Sequence, residues 1–128
     1  MRKFGQNLDV QRQLAKGEID SAAEKARNKY VTVIGGQEQI YRDKLDEAEQ
    51  FLNGTNLEPI YLTAEAQETG KTIQELAETV RTKSRETKER FAPIEAYRVA
   101  QKAAVDEAQT LNQIRTIVVT VVATMGDM

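Results

Sequence analysis

Residues 19–52, IDSAAEKARNKYVTVIGGQEQIYRDKLDEAEQFL, decide the fold. In the first half Ile19, Ala22, Ala23, Ala26, Tyr30 and Val33 follow a three-and-four spacing, and in the second half Ile40, Tyr41, Leu45, Ala48, Phe51 and Leu52 do the same. That spacing gathers each set on one side of an α-helix. Gly35-Gly36 stands between them, where two residues without a Cβ permit a tight reversal or a kink. The stretch is therefore expected to form one helix over residues 19–33 and a second over 37–52. Residues 30–34, YVTVI, are rich in β-branched side chains and lean toward extended structure. Such helices are held mainly by burial of their stripes, so the rest of the chain must supply partners.

Going toward the N-terminus, residues 1–17 carry Leu8, Val10 and Leu14 too sparsely to set a period, and Gly5 and Gly17 weaken a continuous helix. They are expected to form a partly helical arm, either without fixed structure or ordered on a partner. Glu18 and Asp20 then suit the exposed N–H groups of an opening helix.

Going toward the C-terminus, Asn53-Gly54 is a stop signal in which Gly54 takes the left-handed cap conformation. Pro59 follows in a linker, and a short helix is expected over residues 60–68, closed by Gly70. Thr72-Ile73-Gln74-Glu75 has the spacing of a capping box, so a third long helix begins there. Its stripe is Ile73, Leu76, Ala77, Val80, Ser84, Thr87 and Phe91. The charged run RTKSRETKER reads as a solvated face in which Arg81 pairs with Glu78 one turn away. Pro93 is expected to break or kink this helix. A fourth helix starts near it, with a seam of Ile94, Tyr97, Gln101, Ala104, Ala108 and Leu111.

The segment 112–128 contains IVVTVVATM at residues 117–125, which is apolar on every side and reads as a buried helix end or a strand. It either closes the core or offers an apolar patch to a partner. Ile117, Val118, Val119, Val121, Val122 and Met125 are the candidate partner interface. The fold class expected is all-α: a small antiparallel bundle of three to four helices over residues 18–111, an N-terminal arm over 1–17 and the apolar segment 112–128.

Composition narrows the chemistry. The 128 residues include no Cys, His or Trp, which excludes thiolate nucleophiles, disulfides, zinc sites built on Cys or His and the commonest general base. Eighteen basic and 20 acidic side chains are intermixed without a sustained basic block, so no nucleic-acid partner is expected. The N-terminus lacks the apolar core of a signal peptide, and residues 117–125 fall far short of the roughly 20 that span a bilayer. Carboxylate pairs such as Asp43 with Glu47 and Glu75 with Glu78 read as ordinary helix surface, since di-metal bundles require histidines that the chain lacks. Gly35-Gly36 has neither the flanking strand nor the Lys-Ser or Lys-Thr ending of a phosphate loop. No enzymatic activity and no cofactor are expected.

Across residues 18–108 the order Ile19-Asp20, Ala23-Glu24, Ala26-Arg27, Lys29-Tyr30, Gly36-Gln37, Tyr41, Lys44, Glu47-Ala48 and Phe51-Leu52 is followed by Pro59, Glu65-Ala66, Gly70-Lys71-Thr72 and Glu75-Leu76-Ala77. Ile94-Glu95, Arg98 and Ala100-Gln101-Lys102 continue it. This pattern resembles a small helical domain of tail proteins in tailed bacteriophages and prophages, often near tail-fibre genes. The resemblance implies a structural protein of the virion tail, in the host cytoplasm during assembly, whose partners are other phage structural proteins or its own copies. A tail or tail-fibre assembly chaperone absent from the finished particle is the alternative. The family brings no catalytic residues to carry over.

Overall fold

Leu8, Ala15, Ile19, Ala22, Ala23 and Ala26 fall on one side when the helix is drawn through Gly17, and the chain takes that course. In the computed structural model, which describes residues 4–31 and 37–128, α1 runs over Phe4–Asn28 without interruption. The helix thus begins well before residue 19, in the stretch expected to be an arm, because Ala15 and the partly buried Leu8 extend the packed stripe by about three turns and outweigh the roughly 1 kcal/mol cost of Gly17. It also ends earlier than expected. Tyr30 and Val31 lie outside it, in keeping with their β-leaning neighbourhood. Val33 and the Gly35-Gly36 turn lie outside the described residues.

The other helices are α2 (Gln37–Leu52), α3 (Ile60–Thr69), α4 (Ile73–Glu107) and α5 (Leu111–Gly126). The fold is all-α: the described residues form five helices, where three to four were expected, and no strand. Two departures explain the count. Pro93 does not end a helix: α4 passes through it for 35 residues. Proline removes one backbone donor and crowds the preceding turn, at about 3 kcal/mol, and burial of Ile94 with half-burial of Phe91 and Tyr97 offsets that cost. The chain breaks instead at Ala108-Gln109-Thr110. There the Thr110 hydroxyl accepts the Gln113 N–H at 3.1 Å, while Gln113 Oε1 accepts the N–H groups of Thr110 at 3.3 Å and Gln109 at 2.6 Å. This is a full capping box. It sets the β-branched C-terminal run as a helix and not a strand.

The chain divides into two compact units, Met1–Val31 with Arg90–Met128, and Thr32–Glu89. In the first, Ala15, Ile19, Ala23, Ala26, Ile94, Val105, Ala108, Ile114, Val121 and Met125 make one core. Arg12 Nη2 donates to the Ala108 carbonyl at 2.7 Å and Lys29 Nζ to the Gly126 carbonyl at 2.7 Å, so α1 and α5 run parallel. Lys16 pairs with Asp106, and Arg90 lies 5.0 Å from the centre of the Tyr30 ring, so α1 and the latter part of α4 run antiparallel.

In the second unit Ala48, Leu62, Leu76 and Ala77 form the buried core, with Phe51, Leu52, Ala66, Ile73 and Val80 packed against them. Sequence and structure agree closely here. α2 has the expected bounds. Gly54 (φ 82°) and Gly70 (φ 76°) both take the left-handed conformation that closes a helix. The Glu75 N–H donates to the Thr72 hydroxyl at 3.0 Å, and the Glu75 carboxylate accepts that hydroxyl's proton at 3.2 Å in place of the Thr72 N–H.

One cap comes from a distance. Pro59 precedes α3 and offers no side-chain oxygen, so Glu47 of α2 supplies it, its carboxylate accepting the N–H groups of Tyr61 at 3.0 Å and Leu62 at 3.1 Å. Glu47→Ala is expected to destabilise this unit by about 1–2 kcal/mol, the range of a lost N-cap. Urea unfolding followed by circular dichroism checks this, and an unchanged midpoint would deny the cap its role.

Tyr41 was expected in the core and is 53% exposed. Lys44 pairs with Glu65 at 2.6 Å, and Glu47 reaches the start of α3, so the two helices are antiparallel.

Candidate functional site

The C-terminal helix holds every candidate interface residue, and its geometry sorts them. Val121 and Met125 are buried, at positions a helical turn apart that face Ile114 and the α1 stripe. Ile117 and Val118 flank them, partly buried against the same core. Val119 and Val122 turn outward, 70% and 51% exposed. The six residues therefore do not form one surface: four serve packing and two remain for contact. Uniform apolarity hid this division, since the spacing separates the sides of a helix only once the packed side is known.

Other apolar side chains stand in solvent. Val10 and Leu14 lie on the side of α1 opposite its buried stripe, and Leu57, Ile60 and Tyr61 cluster around the start of α3. A shallow depression of ≈ 520 Å³ lies at the turn between α4 and α5, lined by Ala104, Glu107, Ala108, Thr110, Gln113 and Ile117. Its Thr110 and Gln113 groups are already engaged in the capping box.

The densest charge cluster is on the first unit. The Asp20 carboxylate receives Lys102 Nζ at 2.9 Å and Arg98 Nη1 at 2.9 Å, while Arg98 also forks onto Glu95 at 2.7 and 2.8 Å. Asp20 is thus mid-helix and bridges to α4, where an N-terminal charge was expected. The signal for this was Arg98 and Lys102, four apart on one side of a helix. Hydrogen bonding from Lys102 holds the Asp20 carboxyl below its ordinary value, against an opposing cost of partial burial, and Arg98 adds to the effect. Glu95 is lowered by Arg98, whose own value is raised by Glu95 and Asp20.

A carboxylate with a lowered folded pKa contributes stability above its unfolded value, and that contribution is lost as pH falls through the folded value. Asp20→Asn is expected to destabilise the unit at neutral pH, with the difference from wild type shrinking as pH falls below about 4. Thermal unfolding across acidic pH measures it, and a constant difference would rule out the linkage.

On the second unit Arg81 forks onto Glu49 of α2, at 2.8 and 2.9 Å, where pairing with Glu78 was expected. This contact lowers Glu49 and raises Arg81 from their ordinary values. All these pairs bridge or brace helices. Among the described residues no group of three or more acidic side chains is placed to hold a metal ion, and no helix is long and apolar enough to cross a membrane. Comparison with protein-family models, curated proteins and solved structures finds no match to this chain.

Proposed function

We propose that this chain is a non-enzymatic structural protein of a bacteriophage tail, a helical module that docks to other virion proteins or to its own copies. The tail assignment rests on the resemblance across residues 18–108. The docking part is supported by one observation: Val119 and Val122 project outward from a helix whose opposite side is locked into a core. Paired apolar side chains held on a fixed helix are a suitable contact for a partner helix or groove.

Two experiments test this reading. Mass spectrometry of purified particles should find the chain in fixed stoichiometry with tail proteins; its absence from particles, with presence in assembly intermediates, would make it a chaperone. The double variant Val119→Gln, Val122→Gln should keep its thermal unfolding close to wild type, because both sites are exposed, and should lose incorporation into particles. Normal incorporation would remove the α5 surface from the proposal.

A further inference from the structure

Asn53 and Gly54 close α2 through a set of bonds with a chemical consequence. The Thr55 N–H donates to the Gln50 carbonyl at 2.9 Å and the Gly54 N–H to the Phe51 carbonyl at 3.1 Å, the two bonds of a Schellman cap. Gly54 sits at φ 82°. The Asn53 side-chain oxygen is held as well, accepting the Thr55 N–H at 3.0 Å and the Thr55 hydroxyl at 2.7 Å. Asparagine before glycine carries both partners of an intramolecular imide, an amide carbon and the next backbone nitrogen. Nothing lies within 4 Å of where a Cβ of Gly54 would stand, and glycine itself adds no side chain beside its nitrogen. In the closed turn its hydrogen is committed to Phe51, and Thr55 fixes the amide.

We propose that Asn53 is a self-modification site gated by this turn. When the last turn of α2 opens, the Gly54 nitrogen attacks Asn53 Cγ and forms a C–N bond. The Cγ–Nδ2 bond breaks, and Nδ2 leaves as ammonia with the proton that Gly54 gives up. Water then opens the succinimide to aspartate or isoaspartate, and no other reactant is needed. The change is one-way. Isoaspartate lengthens the main chain by a methylene between Gln50 and Thr55, so the Schellman bonds lose their register. Either product also sets a carboxylate at the negative end of the α2 dipole. Isoaspartate thereby favours the open turn that permitted the reaction. Asn7, Asn28, Asn56 and Asn112 precede Leu8, Lys29, Leu57 and Gln113, whose side chains crowd the attacking nitrogen.

The test is peptide mass mapping of the full chain incubated at mildly alkaline pH, folded and in denaturant. Conversion at Asn53 should lead the other asparagines in denaturant and be several-fold slower in the folded chain. Equal rates in the two states would overturn the gate. Thr55→Val, with its helical circular dichroism retained, should raise the folded rate several-fold and leave the denatured rate unchanged. A folded rate equal to wild type would overturn the role given to Thr55 and with it the proposal.

Discussion

Leu62→Ala is expected to destabilise the Thr32–Glu89 unit by about 2–5 kcal/mol, the range for a large aliphatic side chain removed from a packed core. The size of the effect follows from how few side chains share the burden. Of the four buried residues in this core, Ala48 and Ala77 contribute one methyl each, leaving Leu62 and Leu76 to fill most of the volume. Leu62 is also the buried residue by which the ten-residue α3 attaches, and its N–H is one of the two that Glu47 caps. A short helix of that length does not persist in water without such anchoring. Hydrogen exchange should therefore show protection falling in residues 60–69 first. Ile60→Ala is the matched control, two residues away on the same helix. Ile60 is 81% exposed, so its loss should change stability by less than about 0.5 kcal/mol. Equal effects at the two sites would contradict the packing described.

The contrast between the two residues also shows what was legible in the sequence. Signals that act within a few residues were readable. The bounds of α2, the left-handed closures at Gly54 and Gly70, and the Thr72 start of α4 are local chemistry, in which a missing Cβ or a short hydroxyl decides the backbone on its own. The Thr110-Gln113 box belongs to this class. The apolar seam that runs on across it masks it in the sequence. What was not legible depended on distant partners. Whether Gly17 and Pro93 interrupt a helix turned on burial of Ala15 and Ile94, which local propensity does not contain. Tyr41 sits on the apolar stripe of α2 yet is exposed, because which part of that stripe is covered depends on the helices packed against it. Arg81 had an acidic neighbour one turn away and instead bridged to Glu49 across the unit. The candidate interface was half legible for the same reason: composition located it in α5, and only the packing of α1 against that helix separated its two sides.

That separation gives the second large effect. Val121→Asn is expected to destabilise the first unit by roughly 3–5 kcal/mol, combining the lost burial of a valine side chain with the cost of enclosing an amide that has no partner. Val121 is fully buried in a core whose buried side chains are alanine, valine, isoleucine and methionine, none of which offers a strong hydrogen-bonding partner to the new amide. Val119→Asn makes the same chemical change two residues earlier, at a position 70% exposed, where water satisfies the amide. Its expected effect on folding is below about 0.5 kcal/mol. Thermal unfolding of the pair in parallel separates two accounts of the C-terminal helix. If both variants unfold like wild type, the whole segment is peripheral to folding and all six apolar residues are free to meet a partner. If only Val121→Asn is destabilised, α5 folds with α1, and any partner must read the helix from its Val119 and Val122 side. The second outcome also fixes how binding should be probed, since a variant that removes Val121 or Met125 would lose partners through unfolding and reveal nothing about the contact surface.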